Sequence, residues 1–143
     1  MNTNNNSANQ RHLKQNNKEA SIELLKKTIA NSEYIDVIRQ REICAELGLQ
    51  YLVGLFRIEY RQRFYDYLKK HTTTVATVSK ETKIPHKYLC EVKAYYQNRD
   101  LLKIVMYGKC PTTGSNNVQF LSTNPEVWEN SSLLPKSNQL KLF

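Results

Sequence analysis

"TVATVSKETKIPHKYLCEVKAYYQNRDLLKIVMY", Thr74 to Tyr107, contains the change of period on which the fold turns. Thr74 suits an N-cap, because its hydroxyl can accept one of the orphan N–H groups of a first helical turn. Val75 and Val78 then share a face of a short helix predicted to run to Thr82. Lys83 and Ile84 make a tight turn. Pro85 fits the start of the next helix, since its fixed φ suits the first turn and its missing N–H is no loss there. Leu89, Val92 and Tyr96, spaced i, i+3 and i+7, give that helix a buried face. "RDLL" ends it, and "KIVMY" has the branched and aromatic content of a strand. Ten residues rich in Gly, Pro, Thr and Asn, "GKCPTTGSNN", lead to "VQFLS", a second strand. The predicted order is helix, turn, helix, hairpin.

Upstream, the opening "MNTNNNSANQRHLKQNN" is Asn-rich and lacks an apolar period, so residues 1–17 are expected to be disordered. From Lys18, the recurrence of Ile22, Leu25 and Ile29 predicts an amphipathic helix to about Asn31. A second helix is predicted over Tyr34 to Leu47, with Gly48 placed to end it. "GLQYLVGLFRI" reads equally as a buried turn or a short strand. A third helix fits Glu59 to His71, where Tyr60, Phe64, Tyr67 and Leu68 line one face. The expected divisions are a disordered 1–17, a helical extension 18–56, a principal domain 57–128 and a polar tail 129–143. The fold class is mainly α (α+β), with a small hairpin beside the helices.

Charge is distributed unevenly over these divisions. The 143 residues carry a net +8, and residues 57–109 hold twelve basic groups against five acidic ones. Residues 18–56 are nearly balanced, with five basic and six acidic. A localised positive field of this kind attracts polyanions and steers their approach. The longest apolar run, Tyr51 to Phe56, is too short to span a bilayer, so no membrane partner is expected. Cys44, Cys90 and Cys110 form no CxxC pair and have no His at zinc-ligand spacing. Reduced thiols in a cytoplasm are the plain reading, with no metal and no cofactor. No phosphate loop, paired nucleophile and base, or compelling carboxylate pair points to an enzyme.

With Val75, Val78, Ser79, Thr82, Ile84, Pro85 and Leu89 at its places, Thr74 to Leu102 resembles the helix-turn-helix of winged-helix DNA-binding proteins. The resemblance continues through the hairpin to Asn124, about a third of the chain. It departs at Lys83, where the family's turn usually holds Gly. The resemblance implies a winged helix-turn-helix that binds double-stranded DNA, as a transcriptional regulator or a replication accessory of a bacterium or mobile element. The alternative is a protein-interaction module on the same scaffold. At 100° per residue, a helix with Leu89, Val92 and Tyr96 inward turns its other faces out. His86, Lys87, Tyr88, Cys90, Glu91 and Ala94 are then the base-proximal set, with Lys87 able to donate to guanine and Glu91 to accept from cytosine. Lys80, Lys93, Lys103 and Lys109 are expected at phosphates, the last two on the wing. A homodimer is one arrangement open to such a domain.

Two further stretches carry echoes. "QREICAELGLQ", Gln40 to Gln50, resembles the first helix and turn of another helix-turn-helix, with Gly48 and Leu49 at the turn. No polar recognition helix is expected after it, because "YLVGLF" is apolar and contains Gly54. The closing "QLKLF" places Gln139, Leu140, Leu142 and Phe143 behind a linker of Ser, Asn and Pro. It resembles the Q-L-x-L-F pentapeptide by which bacterial polymerases and repair proteins dock on the sliding clamp. That resemblance implies the clamp as a partner, held by apolar side chains in neighbouring pockets and by the amide of Gln139.

Overall fold

The structure, a computed structural model, describes residues 3–131, with side chains from residue 17 onward. The chain is mainly helical, with one small antiparallel sheet among the described residues. It forms two compact units, Met1–Glu59 and Tyr60–Phe143, and the divide falls within one helix.

The first unit opens with α1, Thr3–Asn31. Residues 3–17, expected from the sequence to be disordered, lie within this helix. Asn is a poor helix former, but Thr3–Asn31 contains no Gly or Pro to stop a helix propagating from the apolar turns around Leu25 and Ile29. Helix α2 spans Val37–Glu46, starting three residues later than predicted because Asp36 takes the N-cap. Its carboxylate accepts from the Arg39 N–H at 2.9 Å. The helix ends as the sequence indicates, on Gly48 at φ +69°. Gly48 N–H donates to Ala45 O and Leu49 N–H to Cys44 O, the paired bonds of a Schellman ending. Buried Gln40 donates to Ile35 O at 2.7 Å and accepts from the Tyr51 hydroxyl, pinning the connection that follows.

That connection is neither a buried turn nor a short strand over its whole length. Helix α3 begins at Val53 and runs to Lys70, six residues earlier than the predicted start at Glu59. Gly54 lies in its first turn, where a poor propensity costs little. A helix does therefore follow the Gly48 turn, and its first turns expose Val53 and Ile58 beside Arg57.

In the second unit, Tyr60, Phe64 and Leu68 of α3 are buried at i, i+4 and i+8. Thr73 pairs with Leu121 as an isolated antiparallel bridge, a short edge that the sequence analysis did not foresee. Helix α4, Val75–Thr82, is capped by Thr74, whose hydroxyl accepts from Thr77 N–H at 3.3 Å. Lys83 then takes φ +64°, the left-handed conformation usual for Gly at this corner. Helix α5, His86–Gln97, has Pro85 as its N-cap and buries Leu89, Val92 and Tyr96, as the spacing required. Strands β1, Lys103–Gly108, and β2, Val118–Ser122, pair antiparallel with an irregularity between Ile104 and Met106. A last short helix, α6, Pro125–Glu129, is capped by Asn124 and hydrogen-bonds back through Trp128 Nε1 to Ser122 O at 2.6 Å. The second unit thus runs helix, bridge, helix, turn, helix, hairpin, a mainly α arrangement with a small antiparallel hairpin.

Bonds from Thr123, just after β2, fix the hairpin to α3. Thr123 N–H donates to Leu68 O and Thr123 Oγ1 to Tyr65 O, satisfying carbonyls of the last turns of α3. On the core side, the rings of Phe64 and Tyr96 stack with centroids 6.3 Å apart. Burial of Tyr96, followed by the charge of neighbouring Tyr95, pushes its hydroxyl up to about 12, so it stays neutral. No helix among the described residues is long and apolar enough to cross a membrane.

Candidate nucleic-acid interface

Helix α5 presents three faces besides its core. His86, Lys87, Cys90, Glu91 and Ala94 are exposed, and Tyr88 is half-buried. Five of the six residues expected to be base-proximal thus lie on the accessible side of one helix, over its first turns, and Tyr88 turns away from them. Cys90 Sγ sits 3.6 Å from His86 Nδ1. No third His, Cys, Asp or Glu joins them in a set able to hold a metal, among the described residues.

On one flank of α5 a cleft of about 650 Å³ opens between the helix and the loop joining β1 to β2. His86, Cys90, Lys93 and Ala94 line its helix side, with Cys110 and Gln119 across from them. Lys93 Nζ donates to Gln119 Oε1, tying helix to hairpin. The expected phosphate contacts are spread unequally about this cleft. Lys80 on α4 and Lys109 at the start of the wing loop are exposed, and Lys93 is half-buried in its bond to Gln119. Lys103 is elsewhere. It pairs with Ser122 at the base of the hairpin, and its ammonium lies 4.0 Å from Asp100 and 5.5 Å from the Trp128 ring centroid. Chain order already put Lys103 at the end of its strand away from the loop, so its expected place on the wing is corrected.

The wing loop is latched to the N-terminus of α4. Thr74 Oγ1 and Cys110 Sγ are 3.1 Å apart, and Thr77 Oγ1 and Thr112 Oγ1 are 2.8 Å apart. Burial raises the Cys110 thiol, but hydrogen bonds from the Thr113 and Thr74 side chains and from the Thr113 and Thr112 backbone outweigh it. The net result brings the thiol down from 9.0 to about 6. These hydrogen bonds favour the thiolate form of Cys110, which is buried at the latch.

No family model, curated protein or solved structure matches this chain. The interface rests on its own geometry.

That geometry includes residues the sequence reading left aside. Arg61 on α3 and Arg99, just beyond α5, both lie over the Tyr95 ring, at 4.3 and 3.6 Å from its centroid. The Tyr95 to Arg99 spacing of i, i+4 was legible as a helical pair. The approach of Arg61 from another helix was not. Gln139, Leu140, Leu142 and Phe143 lie outside the described residues.

Proposed function

We propose that this chain binds double-stranded DNA, inserting α5 in the major groove and laying the wing loop along the backbone. The observation that carries the reading is the outward face of α5. Lys87 and Glu91 stand exposed on adjacent turns, beside a wing bearing Lys109, in the stretch that holds the chain's positive excess. A helix N-terminus with donor and acceptor side chains reads base edges, and flanking cations hold phosphates without reading sequence. The role is that of a cytoplasmic, non-catalytic regulator or replication accessory. "QLKLF" would recruit it to the bacterial sliding clamp, so that two modest contacts on one DNA-borne assembly reinforce each other.

A second reading, a protein-interaction module, draws on the first unit, where Leu24, Val37, Ile38, Val53 and Ile58 are all exposed. Selection from a random duplex pool separates the two. Lys87→Ala should change which sequences are retained, whereas Lys109→Ala should weaken all of them alike. If both substitutions change only total affinity, the groove assignment is wrong; if the wild type retains no duplex, the interaction module is favoured.

A further inference from the structure

The flank of α5 opposite the wing holds an arrangement that core packing does not account for. Tyr95 lies about 140° round the helix from Cys90, which lines the cleft, and Arg99 follows just beyond the helix end. Two guanidinium groups, Arg61 and Arg99, converge on the one half-buried Tyr95 ring. No carboxylate pairs with either among the described residues. Asp66, the acid one turn on from Arg61, accepts instead from Gln62 at 2.9 Å. Arg99 spends one N–H on Tyr95 O at 2.9 Å, and most of its five donors remain for a ligand. Two like charges held at one ring repel each other, and anionic groups brought beside them lower that repulsion.

We infer that Arg61, Tyr95 and Arg99 form a second phosphate-binding station for duplex DNA, on the far side of α5 from the wing. The ring fixes the two forks in place, so fewer rotamers are lost when they meet phosphate oxygens. It also decides between two nucleic-acid chemistries. The guanidinium groups already occupy the ring, so Tyr95 is not offered to an unpaired base for stacking, and the backbone is the fitting target. With Lys109 on the wing flank, the recognition helix is bracketed by cations on both sides. Such an arrangement spans a groove whose two phosphate strands must both be held.

This inference rests on the duplex-binding reading, and the test keeps the two separable. Binding of the full chain to a fluorescein-labelled random duplex is followed by anisotropy across a salt series. In R61Q/R99Q the planar amides still cover the ring but carry no charge. The slope of log K against log[salt] should become less negative by about 1.8, a loss of about 60-fold in affinity at 0.1 M salt. Sequence preference in a selected pool should be unchanged, and R61K/R99K should keep most of the slope. A wild-type slope in R61Q/R99Q, with the wild type binding normally, overturns the station and leaves the duplex reading standing. No binding by the wild type at low salt removes both. Should the double variant unfold, R99Q alone decides, since Arg99 is exposed. A drop of about 0.9 supports the station and an unchanged slope overturns it.

Discussion

At the end of α2 the backbone turns through Gly48 at φ +69°, and at the end of α4 it turns through Lys83 at φ +64°. Both corners are followed within a few residues by another helix. The first leads into α3, whose opening turns show Val53 and Ile58 to solvent. The second leads into α5, whose opening turns show His86, Lys87 and Glu91. A helix-turn-helix corner is thus a recurrent way to reverse a chain, and it carries no function of its own. The side chains of the helix that follows decide what it can meet. The two corners are also held differently. Gly48 needs no help to adopt a left-handed backbone. Lys83 is kept there by its neighbours: Ser79 Oγ donates across the turn to Ile84 O at 2.7 Å, and Ile84 is wholly buried.

The contrast is broken most severely by deleting apolar side chains on each side of it. Leu89→Ala empties a fully buried position on α5 and should cost about 2–5 kcal/mol in denaturant unfolding. Ile38→Ala, on a side chain 73% exposed in the first unit, should cost less than about 0.5 kcal/mol. A comparable loss at Ile38 would mean that the first unit's apolar surface is covered in solution.

The wing latch belongs to the second unit alone and makes it sensitive to pH. Cys110 has a folded value near 6 against an ordinary 9.0. Between those values the unfolded chain holds a proton that the folded chain has released. Stability from this group is therefore complete above pH 9, falls as pH drops, and is gone below 6. Unfolding midpoints measured from pH 6 to 9 should rise with pH, and Cys110→Ala should flatten the rise. An equal rise in the variant would remove Cys110 from the account.

Exchanging the corner residues sharpens the comparison at smaller cost. Gly48→Ala forces a side chain into the left-handed region and should destabilise by about 1 kcal/mol, although nothing lies within 4 Å of the new Cβ. Lys83→Gly relieves the same strain and should stabilise by about 0.5 kcal/mol, less than the full relief because glycine frees the unfolded chain. Stabilisation by Gly48→Ala would show that the backbone there is not as described.

These corners also mark how far the sequence could be read. The faces of α4 and α5 and the two strands were legible because each depends on spacing within a few residues. The Lys83 turn was legible despite its missing glycine, since Ile84 and Pro85 bracket it. Contacts far apart in sequence were not: the Thr73–Leu121 bridge, the Cys110–Thr74 latch and the seat of Arg61 on Tyr95. Local propensity also misled at two helix starts. The Asn run before Lys18 and Gly54 near the start of α3 both argued against helix, and continuity with strong helical turns downstream prevailed.

The central claim is that the second unit's helix-turn-helix, with its flanking cations, holds the phosphates of duplex DNA. The direct measurement is the affinity of the full chain for a random duplex as salt is raised. Neutralising four or five phosphates predicts that log K falls against log[salt] with a slope of about −4. A flat dependence, or no binding at low salt, contradicts the account.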